Sequence, residues 1–357
     1  TQYGEIVDVP RTHRTIYMKS WYRTTIGTNR VEEYNNYRSL SYIQLKAQKL
    51  SGFIDTAKLS LSFQNLHNYV VTLRSGSTVY NYNGFDVGTL GFFAIAATPK
   101  TSYGRFSFGM ESYSDNIDSS RYTKNIATNV RTEYARGEVA DDSKYILSGL
   151  FIQNEFSAAK WLDLTAGIRY TYASLDAGVV DPDPTDAFPY EPFKSSYDAL
   201  VCSFRALLRL KEEKETASRI IFGVSQGFRA PNLDDTTTFR PVATASHDIP
   251  SPDVKPEYCT NFEIGYRELK KGENKSSLLE LFYFYNNLQD FIERVPTTYA
   301  GSPTDPAGRQ YYAKENFSSG YIHGVEFSLE WSHKLEKWME NTAGVGRFTF
   351  SWTEGYG

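Results

Sequence analysis

The chain has 357 residues, 15% of them aromatic, with 38 basic and 42 acidic side chains and a formal net charge of −4. The charges are well mixed, so no basic stripe offers a nucleic-acid interface. A mean hydropathy of −0.47 with no long apolar run excludes a membrane-spanning helix, which needs about 20 consecutive apolar residues. It does not exclude a membrane crossed by strands, since these expose only alternate residues to lipid.

Taken in order, the alternation of apolar and polar residues predicts strands. Residues 14–24 form the first, followed by a polar loop near 27–36. Residues 37–50 form the second, with Ile43, Leu45 and Ala47 on one face. In the third, 58–71, Leu59, Leu61 and Phe63 alternate with Ser60, Ser62 and Gln64. Residues 84–97 and 102–113 follow, and the polar segment 114–144 shows no clear strand of its own. Residues 145–156 come next, then 161–175, the cleanest pattern in the chain. There Leu162, Leu164, Ala166, Ile168, Tyr170 and Tyr172 oppose Asp163, Thr165, Gly167, Arg169 and Thr171. Strands at 197–210, 218–229, 259–269, 276–293, 311–331 and 347–353 complete the reading, roughly 13 in all. No helical pattern exceeds a turn or two, and no repeat or linker divides residues 1–357.

The connections are as informative as the strands. Short ones (51–57, 98–100, 157–160, 211–217, 270–275) alternate with long ones (73–83, 114–144, 176–196, 230–257, 294–310). That alternation places every long loop at one end of the sheet. With strands at or beyond the roughly 9–11 residues that cross a bilayer at a tilt, it predicts an all-β fold: an antiparallel transmembrane β-barrel with short periplasmic turns and long extracellular loops. The 27 Tyr and 23 Phe suit the aromatic girdles of such barrels. Cys202 and Cys259 fall on strands separated by one other, too far apart for a disulfide. Residues 1–10 are polar and lack the hydrophobic region of a signal peptide.

Three stretches carry a family resemblance. Ser225-Gln-Gly-Phe-Arg-Ala-Pro-Asn-Leu-Asp234, Ser251-Pro-Asp-Val-Lys-Pro-Glu257 and Asn261-Phe-Glu-Ile-Gly-Tyr-Arg267 resemble, in order, signatures of TonB-dependent outer-membrane receptors. The first is similar to that family's Phe-Arg-Ala-Pro box; the second departs from its Asn-Pro-Asn-Leu box at all but the proline. Tyr321-Ile-His-Gly-Val-Glu326 resembles a late barrel strand, so the likeness covers roughly residues 145–357. It implies a barrel in the outer membrane, embedded in lipid. It further implies uptake of a scarce ligand driven by TonB–ExbB–ExbD through a plug domain, with no chemistry performed on the ligand. The plug, the first strands and the closing strands of such a receptor are expected outside this chain. The ligand class implied is a small-molecule metal complex, most often a ferric siderophore, with haem, cobalamin and glycans as family variants.

Two sets of residues are candidates for function. Arg169, Arg205, Arg229, Glu263, Arg267, Glu326 and Glu330 fall on the polar faces of their strands and are expected to line a lumen that docks a plug; alternatively they are the solvated face of a soluble sandwich. In the loop 230–257, Arg229 and Arg240 can pair with an anionic chelate, because guanidinium binds carboxylates in a fork. Asn232 lies beside them, and His247 has the chemistry to ligate iron. The bland alternative is that the arginines brace the loop base and His247 is an ordinary solvated residue. The acidic run Asp181-Pro-Asp-Pro-Thr-Asp186 lacks the spacing of a calcium loop. Tyr80, Tyr82, Phe85, Tyr299, Tyr311 and Tyr312 sit near long-loop ends, at an interface or lining a vestibule. No Gly-x-Ser-x-Gly, His-Glu-x-x-His or Walker loop occurs, and none of the five histidines has metal-ligand spacing, so a resident cofactor, a metal site and an enzyme are not expected. Two other functional classes stand beside the receptor: a passive porin, and a soluble all-β enzyme or lectin with shorter strands.

Overall fold

The computed structural model describes residues 13–22, 29–181, 190–242, 246–334 and 342–356. Thirteen long strands follow one another around a single antiparallel sheet. They are β1 (His13–Tyr22), β2 (Asn29–Gln48), β3 (Thr56–Arg74), β4 (Val79–Ala97), β5 (Arg105–Asn125), β7 (Ser143–Ala159), β8 (Leu162–Ala177), β9 (Phe193–Glu212), β10 (Thr216–Arg229), β13 (Glu257–Lys271), β14 (Lys275–Pro296), β15 (Gln310–Lys334) and β16 (Ala343–Tyr356). Three short strands join them at the long-loop end: β6 (Arg131–Tyr134), β11 (Arg240–Val242) and β12 (Ser246–Asp248). A single turn of helix, α1 (Leu233–Thr237), lies between β10 and β11. Each long strand pairs with its sequence neighbour among the long strands, as a barrel wall requires.

Side-chain parity fixes which face is which. On β8, Ile168, Tyr170 and Tyr172 are exposed while Thr171, Ala173, Leu175 and Ala177 between and beyond them are buried. The exposed apolar face continues through Leu61 and Phe63 on β3, Leu150 and Ile152 on β7, Phe262 and Ile264 on β13, and Phe348 and Phe350 on β16. Contiguous apolar exposure on this scale belongs to a surface that faces lipid, not water. Aromatic residues bracket it. Trp161 and Trp331 are exposed at the short-turn end; Tyr172, Tyr283, Tyr321, Trp352 and Tyr356 lie toward the other. Trp161 and Tyr172 are eleven residues apart, about 36 Å along a strand and about 28 Å across at a 40° tilt, close to the roughly 25 Å apolar band of such barrels.

The strands run well past that band, which corrects several expected loops. The predicted connection 73–83 is a tight turn at 75–78, with Gly76 at φ +77°, because β3 and β4 continue pairing up to Leu73 and Tyr80. Segment 114–144, expected to hold no strand, contains the upper half of β5 and all of β6. Its polar residues gave no apolar alternation because above the lipid the outer face meets water, yet backbone pairing persists. Likewise 29–36, read as part of a polar loop, belongs to β2. Arg23, Thr24 and most of the acidic run, Pro182 to Asp186, lie outside the described residues. Cys202 and Cys259 are both free thiols.

Candidate functional site

A buried hydrophobic cluster lies at the long-loop end, against the inner face of the wall. Ile117 of β5 and Leu175 and Ala177 of β8 point inward and pack with Val139, Ala140, Val180 and Leu233 from three loops. Phe85, Val87, Tyr145 and Phe193 close around them. Phe85 is therefore a core residue, whereas Tyr82 stacks on Tyr122 at 4.3 Å. The loop after β6 passes so tightly over the wall that a Cβ at Gly137 would fall 2.4 Å from Ser119 Oγ and 2.8 Å from Gly84 O. Only glycine fits that approach.

The loop 230–256 is anchored at its base by Arg229. Its guanidinium meets Asp235, at 2.6 Å, and Glu257, so the last residue of β10 holds both the start of the loop and the first residue of β13. Glu257 also accepts the Ile292 amide at 2.6 Å. Asn232 caps α1: its Oδ1 accepts the Asp235 amide at 2.9 Å, and Asp235 returns the bond to the Asn232 amide at 3.1 Å. This capping box follows from Asn-x-x-Asp at the helix start. Lys314 reaches Asp234 at 2.7 Å and Asp235 at 3.1 Å. Burial pushes the Asp234 carboxyl up, but the Lys314 and Thr238 hydrogen bonds leave its pKa below the ordinary value.

Arg240 donates to Glu138 at 2.9 Å and lies 3.7 Å from Asp248. His247 is 9% exposed, its ring tilted against Phe239 at 4.7 Å and Tyr311 at 5.3 Å. Its Nδ1 lies 3.1 Å from Asp305, whose carboxylate also takes Arg309 at 2.5 Å. Burial lowers the His247 pKa, and Asp305 only partly offsets it. For Asp305, burial acts upward, but hydrogen bonds from Arg309 and His247 outweigh it and hold the carboxyl well below its usual range. The short strand that carries His247 runs parallel to β15, pairing His247 with Tyr311. Asp305, Arg309 and Arg136 carry no motif that singles them out in the sequence; the tight Asp305-Pro-Ala-Gly-Arg309 turn, with Gly308 at φ +78°, is the available signal for the first two.

The other six inner-wall candidates lie on the face opposite the lipid-facing apolar residues. Arg169 pairs with Glu111 and donates to Thr171 at 3.1 Å; Arg267 pairs with Glu280, and Glu330 with Arg347, each at 3.2 Å. Arg205, Glu263 and Glu326 line a shared hollow of about 670 Å³ with Thr165, Ser203 and Asn261, and make no ion pair among the described residues. Register aligns Thr165, Arg205, Gly223 and Glu263 across four strands, and Gly223 leaves a gap between the two charges. Such a wall offers donors and acceptors to any polar body in the lumen.

The fold is similar to that of solved transporters and receptors. The hemophore receptor HasR of Serratia marcescens, solved with its hemophore HasA and heme, superposes with a TM-score of 0.65 at 13% identity over 91% of this chain and 52% of that one. The copper transporter OprC gives 0.66 at 13% identity, over 96% and 52%. The ferric yersiniabactin receptor FyuA of Yersinia pestis gives 0.62 at 12% identity, over 96% and 48%. The chain thus spans about half the length of these structures. A comparison with curated proteins finds no match. The profile described as "TonB dependent receptor-like, beta-barrel" matches residues 6–357, and with nearly the whole chain covered the protein belongs to the TonB-dependent receptor β-barrel family.

Proposed function

We propose that this chain forms the lipid-spanning wall and the ligand-facing loops of an outer-membrane receptor that imports a scarce ligand with energy from TonB–ExbB–ExbD, delivered through a plug domain. The observation that carries this reading is the buried cluster at the long-loop end. Loops folded onto the inner wall, with Leu175, Ala177, Val180, Thr236 and Thr237 all enclosed, favour a gated entrance over the open water-filled mouth of a passive pore. The unpaired inner-wall charges Arg205, Glu263 and Glu326 are our candidates for holding the plug. The loop residues Arg229, Asn232, Arg240 and His247 are the candidates for ligand contact, with Arg240, half-exposed between Glu138 and Asp248, the best placed to meet an anionic chelate.

The proposed cargo is a ferric siderophore-type complex. Its solved neighbours include receptors for heme with a hemophore, for copper and for ferric yersiniabactin, so cargo varies on this fold. The deciding experiment is uptake of radiolabelled iron chelates by cells with and without the gene, each in TonB-competent and TonB-deficient backgrounds. Uptake that needs both supports the proposal. Uptake that persists without TonB replaces it with a porin, and TonB-dependent uptake of haem, cobalamin or a glycan alone corrects the cargo.

A further inference from the structure

The outward face of the wall is not evenly filled. Near the short-turn end, register sets Ala57 of β3 beside Ala96 of β4, with Ala94 two residues further along. These alanines share the strand parity of the exposed Phe63 and Leu90, so they point away from the lumen. Larger side chains stand around them: Leu45 on β2, Phe108 on β5 and Leu150 on β7. Together they bound a hollow of about 640 Å³ with an almost wholly apolar lining, open on the lipid side. That volume lies in the range of about 300–1,000 Å³ that takes a bound small molecule. Lys58 leaves the hollow apolar, because its ammonium sits 5.4 Å from the ring of Phe93, whose parity is inward.

The two turns next to the hollow carry the opposite chemistry. Lys49 in the β2–β3 turn and Lys100 in the β4–β5 turn are exposed, and neither makes an ion pair among the described residues. The one acid in these turns, Asp55, lies 3.7 Å from Arg105, which leaves the two lysines uncompensated. Lys49 is two residues beyond Ala47, about 7 Å along the strand direction. Phe53 of the same turn is 74% exposed, yet its ring stacks on Phe108 at 6.3 Å, so the turn leans over the hollow. Tyr103, 81% exposed in the other turn, suits the membrane–water interface at this height. We propose that one anionic phospholipid, from the leaflet at the short-turn end, binds here with an acyl chain in the hollow and its phosphate on Lys49 and Lys100. A phospholipid supplies both parts in one molecule, hydrocarbon for the alanine floor and negative charge for the lysines. The inference rests on the exposed apolar face being lipid-facing, and is independent of TonB and of the cargo.

The test uses the full-length receptor, purified in detergent and stripped of lipid, followed by native mass spectrometry. Phosphatidylglycerol and phosphatidylcholine with identical chains are titrated separately. One phosphatidylglycerol per receptor is expected, held roughly 25-fold more tightly than phosphatidylcholine, about fivefold for each lysine. Ala94→Trp fills the hollow and should abolish retention. Ala166→Trp, the same change on the exposed outward face of β8, should leave it unchanged. K49Q combined with K100Q should bring phosphatidylglycerol down to the phosphatidylcholine level. Heat-resistant migration of each variant on a gel separates loss of lipid from loss of fold. Equal retention of the two lipids, or equal retention by the native protein and Ala94→Trp, would show unselective annular lipid and overturn the site. A dimer mass that Ala94→Trp removes overturns it in favour of a second copy. In both cases the heat-resistant band keeps the barrel reading standing, whereas its absence from the native protein would remove the lipid-facing wall and the site with it.

Discussion

Ile168 and Leu175 stand seven residues apart on β8, yet they serve opposite environments. Ile168 is 49% exposed on the outer face, where lipid is its solvent; Leu175 is 0% exposed on the inner face, where loops from three parts of the chain cover it. In the wall, stability comes from continuous backbone pairing, with apolar side chains turned outward. At the loop end it comes from a buried cluster and from charged residues held in pairs. One strand therefore passes from a region governed by bilayer insertion to one governed by globular packing. The lesson is that the two halves should fail independently.

The largest expected difference comes from Asp305. Asp305→Ala strips the buried partner from Arg309 and His247, and breaking a buried pair from one side costs about 3–5 kcal/mol. We expect limited proteolysis to cut within 297–309 of this variant while the heat-resistant barrel band on a gel persists; loss of the barrel itself would show that the regions are not separate. Acid should act on the same pair. Docking lowers the Asp305 pKa below 3.8 and the His247 pKa below 6.5. Both contributions are full at neutral pH; the His247 part fades as pH falls below 6.5 and the Asp305 part as it falls below 3.8. Amide protection factors, taken relative to the intrinsic exchange rate at each pH, should fall across 246–248 and 310–312 on acidification, with those of β8 unchanged.

In the wall, Ile168→Arg should cost about 2–4 kcal/mol in folding into bilayers, as expected for a cation facing the apolar band. Ile126→Arg, equally exposed at the β5–β6 turn, should cost no more than about 0.5 kcal/mol. Denaturant midpoints in lipid vesicles would show the contrast, and equal costs would place the lipid band elsewhere. Asn232→Ala removes the α1 cap and should cost about 1 kcal/mol, read as faster exchange of the Asp235 amide alone. Glu330→Gln, which breaks a solvent-facing pair with Arg347, should change stability by less than about 1 kcal/mol.

The same comparison explains what the sequence disclosed. The thirteen long strands were legible because each membrane-level segment must alternate, and alternation is a local signal. Where β5 rises above the lipid, Asp115, Asn116, Asp118 and Ser119 carry no such constraint, so that half of the strand shows no alternation and resembles a loop. The parity of Arg169, Arg205, Glu263, Arg267, Glu326 and Glu330 was readable for the same reason. The loop end was not, because its contacts join distant segments: Arg136 to Thr237 and Arg240 to Glu138 span about a hundred residues each. The sequence around His247 suits a solvated residue or an iron ligand, and nothing in its flanking residues announces the enclosure by Phe239, Tyr311 and Asp305.

The Arg229 clamp has a consequence for engineering and for sequence drift. Because the clamp joins Asp235 and Glu257 to the end of β10, the loop is closed at its base before its tip contributes anything. Loop-closure entropy grows only slowly with length, about 0.6 kcal/mol per doubling. Extra residues in the loop 230–256 would therefore burden the barrel little, and this loop is where the scaffold should accept an inserted epitope or a new recognition segment while the wall keeps its register.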